Sequence, residues 1–174
     1  MPQKSIFVWG RQLSGRTKMS WAVVALICMA AASPIGLKRF HHTRPAGAAP
    51  GFSGKTVDGF SYDFDPGSSE RTLVVFYASW CAPCVQETPS LINLASRYKN
   101  WKLVLVSGDS AKADLLNFIK IFPGLRRDNV VLLWDFDGTI AGRYGVHAFP
   151  ESFVIDRQGV IQSKLIGASD WGRL

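Results

Sequence analysis

Cys81 and Cys84, in the run Trp80-Cys81-Ala82-Pro83-Cys84, are the residues whose types and spacing offer the clearest chemistry. Two thiols separated this way can pass between dithiol and disulfide, a reading that requires them to sit between a buried strand and a helix. At a helix start, unsatisfied backbone N–H groups and the positive end of the macrodipole favour a thiolate, so Cys81 is expected to ionise more readily than a free thiol. Cys81 is then the attacking sulfur. Cys84, one turn into the helix, is placed to attack a mixed disulfide held on Cys81 and release it. Pro83, having no N–H, fits the first helical turn without losing a hydrogen bond.

Other chemistries for the pair are weaker. A structural disulfide across so short a loop would restrain the unfolded chain little. Zinc asks for about four ligands, whereas the only further cysteine is Cys28, inside an apolar run. Covalent haem needs histidine directly after the second cysteine, where Val85 stands. Two thiols and an imidazole can hold Cu(I), which makes a copper-binding assembly module an alternative if His147 joins the pair. Otherwise His147 is a loop histidine. No metal or other cofactor beyond the dithiol itself is expected.

The elements around the pair supply what it needs. Thr72 to Tyr77 is a continuous apolar, β-branched and aromatic run suited to a strand buried on both faces. Val85, Leu91, Ile92, Leu94 and Ala95 fit a helix from Ala82 to about Tyr98, with Pro89 expected to kink it. Upstream, Val57-Asp58-Gly59-Phe60 before Tyr62 and Phe64 signals a hairpin. Downstream, Lys102 to Ser107 reads as a strand. A helix capped by Asp109 or Ser110 follows, with Leu115, Phe118, Ile119 and Phe122 on one face and Pro123-Gly124 as its stop. Val130 to Trp134 is another buried strand, and Thr139 to Tyr144 a short helix. Ser152 to Ile155 and Val160 to Ile166 form an antiparallel pair about the Asp156-Gly159 turn. Alternating strand and helix predicts an α/β domain with a parallel part and a hairpin edge.

The 174 residues suffice for one such domain and a short appendage. The net charge of +7 does not mark a nucleic-acid partner. Its source is Lys4, Arg11, Arg16, Lys18, Lys38, Arg39 and Arg44, which stand in residues 1–49 without any acid; a nucleic-acid module would place its basic residues on the folded part. They flank an apolar segment, 19–37, whose centre from Trp21 to Ala32 is long enough for a signal-peptide core and whose whole length approaches a bilayer span. The expected organisation is a cytoplasmic basic segment (1–18), a transmembrane signal-anchor or cleaved signal (19–37), a linker (38–54) and the domain (55–174). Either reading of 19–37 sends the domain across the cytoplasmic membrane, to the periplasm or outside of the cell.

Phe76-Tyr77-Ala78-Ser79-Trp80-Cys81-Ala82-Pro83-Cys84, then Glu87 and Pro89, and later Tyr144 to Asp156 with His147-Ala148-Phe149-Pro150-Glu151-Ser152, resemble the membrane-anchored thioredoxin-like reductases of the TlpA, ResA and CcmG type. The resemblance spans roughly residues 55 to 170. It implies a thioredoxin-like fold, a central mixed sheet flanked by helices, with an N-terminal β-hairpin and a helix-strand insertion after the first helix. It also implies a protein-disulfide reductase acting on exported proteins, in cytochrome c maturation or copper-site assembly, and re-reduced by a membrane electron-donor protein. Trp80, Pro83, Phe149 and Pro150 would form the substrate platform, with Pro150 cis. Glu87 matches the acid that the family sets near the inner thiol, and would accept a proton from Cys84 if burial raises its pKa. As a solvated helix residue it would do nothing. Val75 stands where plain thioredoxins bury an acid, which favours Glu87 as its substitute.

Two features depart from that pattern. Asp135-Phe136-Asp137-Gly138-Thr139 imitates the nucleophile motif of haloacid-dehalogenase-like phosphatases, but the Lys and Asp motifs this would need have little chain left to occupy, so it reads as a loop. Ser169-Asp170-Trp171 should open a last helix, expected to be cut short at Leu174, leaving one sheet face partly uncovered. A peroxidase on the same fold is a third functional class, and it lacks the Thr-x-x-Cys setting that activates peroxide.

Overall fold

The apolar run before the dithiol becomes the middle of a sheet in a computed structural model, which describes residues 47–173 except residue 69. The basic segment, the apolar segment 19–37 and the first part of the linker lie outside the described residues. Among the described residues no helix is long and apolar enough to cross a membrane. The chain runs through β1 (Phe52–Lys55), β2 (Ser61–Phe64), β3 (Arg71–Tyr77), α1 (Ala82–Arg97), β4 (Trp101–Ser107), α2 (Lys112–Ile121), β5 (Val130–Trp134), α3 (Thr139–Arg143), β6 (Glu151–Ile155) and β7 (Ile161–Ile166).

β1 and β2 form the antiparallel hairpin, and the other strands form one sheet of order β5-β4-β3-β6-β7. β3, β4 and β5 are parallel, while β6 runs antiparallel to β3 and β7 antiparallel to β6. β3 is central and covered on both faces, which is why its sequence shows no polar alternation. Leu73, Val75 and Tyr77 pack on one side with Leu91, Leu94, Leu115 and Phe118 from α1 and α2. Val74 and Phe76 pack on the other side with Phe52, Phe64, Ile140, Tyr144 and Phe153. Phe76 meets Phe153 edge-on at 5.8 Å and Tyr144 in a tilted contact at 5.3 Å between ring centroids, so the hairpin, α3 and β6 share one aromatic core. This is the mixed α/β sheet with an N-terminal hairpin that the sequence led us to expect.

Three expectations are corrected. Residues 47–54 are part of the fold rather than linker: Ala48 bridges Val160, β1 begins at Phe52, and the Tyr144 hydroxyl donates to the Pro50 carbonyl at 2.9 Å. That stretch shows no apolar period because it is held by edge pairing and by two buried residues, Ala49 and Phe52, the latter packed against Phe64 and Tyr144. Neither Asp109 nor Ser110 caps α2; Ala111 occupies the cap position without a side-chain bond, and Asp109 is drawn inward instead. After Ser169-Asp170 the chain makes a 3-10 turn, Trp171–Arg173, with the Trp171 ring buried against α1. The Asp-x-Asp motif is a loop: Asp135 caps α3, accepting from the N–H groups of Ile140 at 3.0 Å and Ala141 at 2.8 Å.

Candidate active site

The dithiol sits where β3 ends and α1 begins, at the carboxyl edge of the central strand, the place where open α/β sheets collect functional groups. Cys81 is the N-cap residue of α1, with extended backbone, and forms a disulfide with Cys84 across a Cα–Cα distance of 5.2 Å. The Cys84 N–H points at Cys81 Sγ, 3.3 Å away, so the sulfur fills the role a Ser or Asp oxygen plays at other helix starts. Pro83 lies in the first turn, exposed, where its missing N–H costs nothing. Both sulfur-bearing residues are buried, whereas the Trp80 ring beside them is 70% exposed.

A buried carboxylate fixes the approach to Cys81. Asp109 Oδ1 accepts from the Ser79 hydroxyl at 2.7 Å and its N–H at 3.0 Å, and Oδ2 accepts from the Ser107 hydroxyl at 2.7 Å. The Asp109 carbonyl in turn accepts from the Trp134 indole at 2.7 Å. Ser79 is thereby tied to β4 and β5, and the loop carrying Trp80 and Cys81 has a fixed root. Burial, helped by the nearby Asp109 charge, pushes the Tyr77 phenol far up, so it stays neutral at the same strand end.

Phe149 and Pro150 come to this site from the other side of the sheet. Their peptide bond is cis, Pro150 is buried, and the Phe149 ring lies 5.9 Å from Trp80, edge to face. Phe149 closes over Gly108: a Cβ there would stand 2.5 Å from the ring, so glycine is what lets the aromatic come down beside the β4 end. Glu151 anchors the segment behind them. It is buried, pairs with Lys164 at 2.7 Å, and its Oε1 accepts from the N–H groups of His147 at 3.2 Å and Ala148 at 3.3 Å. His147 is exposed, and among the described residues no three His, Cys, Asp or Glu side chains come close enough to hold a metal ion.

Glu87 is not the solvated helix residue that one reading allowed; it is 3% exposed. One turn along α1 from Cys84, it lies under Trp171, whose indole N–H donates to Oε1, while Oε2 has no hydrogen-bond partner. Burial pushes its pKa up to about 7, against the opposing bonds from the Trp171 indole and the Ser169 backbone. The folded carboxyl thus holds its proton more tightly than the unfolded one. Stability must then fall as pH rises from the ordinary value of 4.5 to about 7, with the full penalty present above that. Glu87→Gln, which keeps the shape and the acceptor, is expected to gain roughly 2 kcal/mol over the parent at pH 8 and almost nothing at pH 4. Urea unfolding at the two pH values checks this, and an equal gain at both would show that the carboxyl does not titrate in that window.

Sequence reasoning singled out the thiols, Glu87 and the Phe149-Pro150 pair as candidates. It took Asp109 for a helix cap and Trp171 for the opening of a last helix, and it gave no role to Glu151 or Gly108. The sequence held a signal in two places: Gly108-Asp109 follows directly on a buried strand, where a helix cap is not the only use for an acid, and Glu151 opens the strand after Phe149-Pro150.

Residues 45–164 match the AhpC/TSA family. The chain is 31% identical over 120 residues to the thioredoxin-like protein YneN of Bacillus subtilis, covering 68% of this chain and 69% of that one. It is 28% identical over 121 residues to the thiol-disulfide oxidoreductase ResA of Bacillus anthracis, covering 68% of each. Among solved structures, that of a thiol:disulfide interchange protein from Bacteroides sp. superposes with a TM-score of 0.59 at 26% identity, covering 68% of this chain and 79% of that one. With a cysteine pair at the head of α1 on a thioredoxin-like sheet, the chain belongs to the AhpC/TSA family and is a thiol-disulfide oxidoreductase.

Proposed function

We propose that the protein reduces disulfides of exported proteins, with Cys81 attacking and Cys84 resolving. The observation that carries this reading is the position of Cys81 Sγ as the cap of α1, where the helix N-terminus stabilises the thiolate needed for attack. In the reduced protein, the Cys81 thiolate attacks one sulfur of the substrate disulfide. A mixed disulfide forms, and the other substrate sulfur leaves and takes up a proton. Cys84 then gives its proton to the Glu87 carboxylate and attacks Cys81 Sγ. The second substrate sulfur leaves and takes up a proton, so the substrate departs as a dithiol; Glu87 returns its proton to solvent, and the protein is left as the Cys81–Cys84 disulfide, the oxidised partner in a two-electron exchange. A carboxyl with pKa about 7 is matched to that proton transfer at neutral pH.

Trp80, Pro83, Phe149 and Pro150 would hold an extended substrate segment against Cys81, the two aromatic rings forming one edge of the platform. Apocytochrome c or a copper-site assembly protein is the proposed substrate class, and a membrane dithiol carrier returns the electrons. The domain organisation proposed is a cytoplasmic 1–18, an anchor or signal at 19–37, and a folded domain outside the cytoplasm. Equilibrating the full chain in graded dithiothreitol or glutathione buffers tests the direction of exchange. A potential near or below the about −270 mV of thioredoxin is expected, and one near about −120 mV, as in a dedicated oxidant, would overturn the reductive assignment.

A further inference from the structure

Beside the dithiol, on the side of α1 and α2, a groove of about 260 Å³ is lined by Ser79, Val85, Asp114, Asn117, Phe118, Ile121 and Phe122. It borders the reacting sulfurs at both ends of their loop, since Ser79 precedes Trp80-Cys81 and Val85 follows Cys84. Asp114, Asn117, Phe118 and Ile121 recur at the spacing of one helical face, so α2 presents a continuous stripe to the groove. Phe118 and Phe122, in ring contact at 4.9 Å, contribute its aromatic lining. Val85 and Ile121 remain 37% and 71% exposed, aliphatic surface left open next to a reactive centre. Asp114 is the one charged residue of the lining, and its carboxylate has no partner among the described residues.

We infer that this groove is a specificity subsite for the substrate polypeptide, taking a large aliphatic side chain near the target cysteine with a lysine or arginine beside it facing Asp114. The inference rests on the reductase reading of Cys81 and Cys84. Size favours a side chain over a separate small ligand, because ligand pockets run from roughly 300 to 1,000 Å³. Position favours the substrate over a remote partner, because two of the lining residues, Ser79 and Val85, flank the dithiol segment on either side. Charge selects the flanking residue: an unpaired carboxylate at the rim of an apolar groove attracts a cation and repels an acid. The Phe149-Pro150 platform would hold backbone irrespective of sequence, whereas the α2 stripe would read side chains.

The test uses the full chain, pre-reduced, and four synthetic peptides that carry one cysteine as its mixed disulfide with mercaptoethanol. Two peptides place Leu and Lys on the N-terminal or the C-terminal side of the cysteine, and two carry Gly and Glu there. Hydroxyethyl disulfide, which is neutral and has no side chains, reports the basal exchange rate. One Leu-Lys peptide should react about tenfold faster than its Gly-Glu counterpart, an advantage that shrinks at high salt as the ionic part is screened. Asp114→Lys should reverse the charge preference, and Ile121→Ser should remove most of the aliphatic advantage, both without slowing hydroxyethyl disulfide. Equal rates for all four peptides, or substitutions that slow the small disulfide as much as the peptides, would overturn the subsite. A parent chain inert toward hydroxyethyl disulfide would overturn the reductase reading and the subsite with it.

Discussion

Cys84→Ser is expected to convert the protein into a trap. With Cys81 still at the helix start and nothing to resolve it, the reduced variant should form a stable mixed disulfide with a disulfide-bearing protein, visible on a non-reducing gel and lost on adding dithiothreitol. Its turnover of insulin disulfides should drop about a thousandfold or more, since covalent catalysis fails when its second step is missing. Cys81→Ser should be as inactive and form no adduct, because Cys84 lies inside α1 and not at the capping position where the helix start stabilises a thiolate. The pair of variants separates the two roles, which loss of activity alone would not. Absence of any adduct from Cys84→Ser, with insulin reduction at the parent's rate, would refute the division of labour.

Asp109→Ala should be the most damaging substitution away from the sulfurs. The carboxylate is fully buried and accepts from the Ser79 hydroxyl and N–H and from the Ser107 hydroxyl. Removing it strands buried donors at the base of the dithiol loop, which costs about 1–3 kcal/mol for each group left unsatisfied, more where the lost partner was charged. We expect a loss of about 4 kcal/mol in urea unfolding. Insulin reduction in the surviving folded fraction should also fall, because Ser79 no longer holds Trp80 and Cys81 in place. Asp109→Asn, retaining one acceptor oxygen, should recover about half of the stability. An Asp109→Ala variant as stable as the parent would show that water replaces the carboxylate and that the loop is held from elsewhere.

What the sequence disclosed, and what it hid, follows the distance over which each residue is decided. β3 was legible because an unbroken apolar run has only one economical place, the middle of a sheet covered on both sides. The dithiol was legible because its partners for chemistry are three residues apart. Glu87 was left with two opposite readings, since the ring that buries it belongs to Trp171, 84 residues further on. Asp109 was taken for a helix cap on the strength of its neighbours, but the groups it binds at Ser79 lie 30 residues back, and that tertiary demand prevailed over the local preference. The boundary of the domain was set too late because Ala48 to Phe52 carry no period of their own. What orders them is pairing with Val160 and Phe64, which no local pattern records.

The tie between Asp109 and Ser79 also bears on when the protein becomes competent as it folds. The cysteines and the helix behind them are local and can form early, but the root of their loop waits for β4, and the Phe149-Pro150 side waits for β6 to pair with β3. Such contacts of high sequence separation are slow to close, because the intervening chain must surrender its freedom before they give anything back. During that interval the thiols are held in a loose chain and open to exchange with whatever is nearby. Reactivity is therefore present before selectivity, and the half-folded molecule is the one most prone to pair with the wrong sulfur.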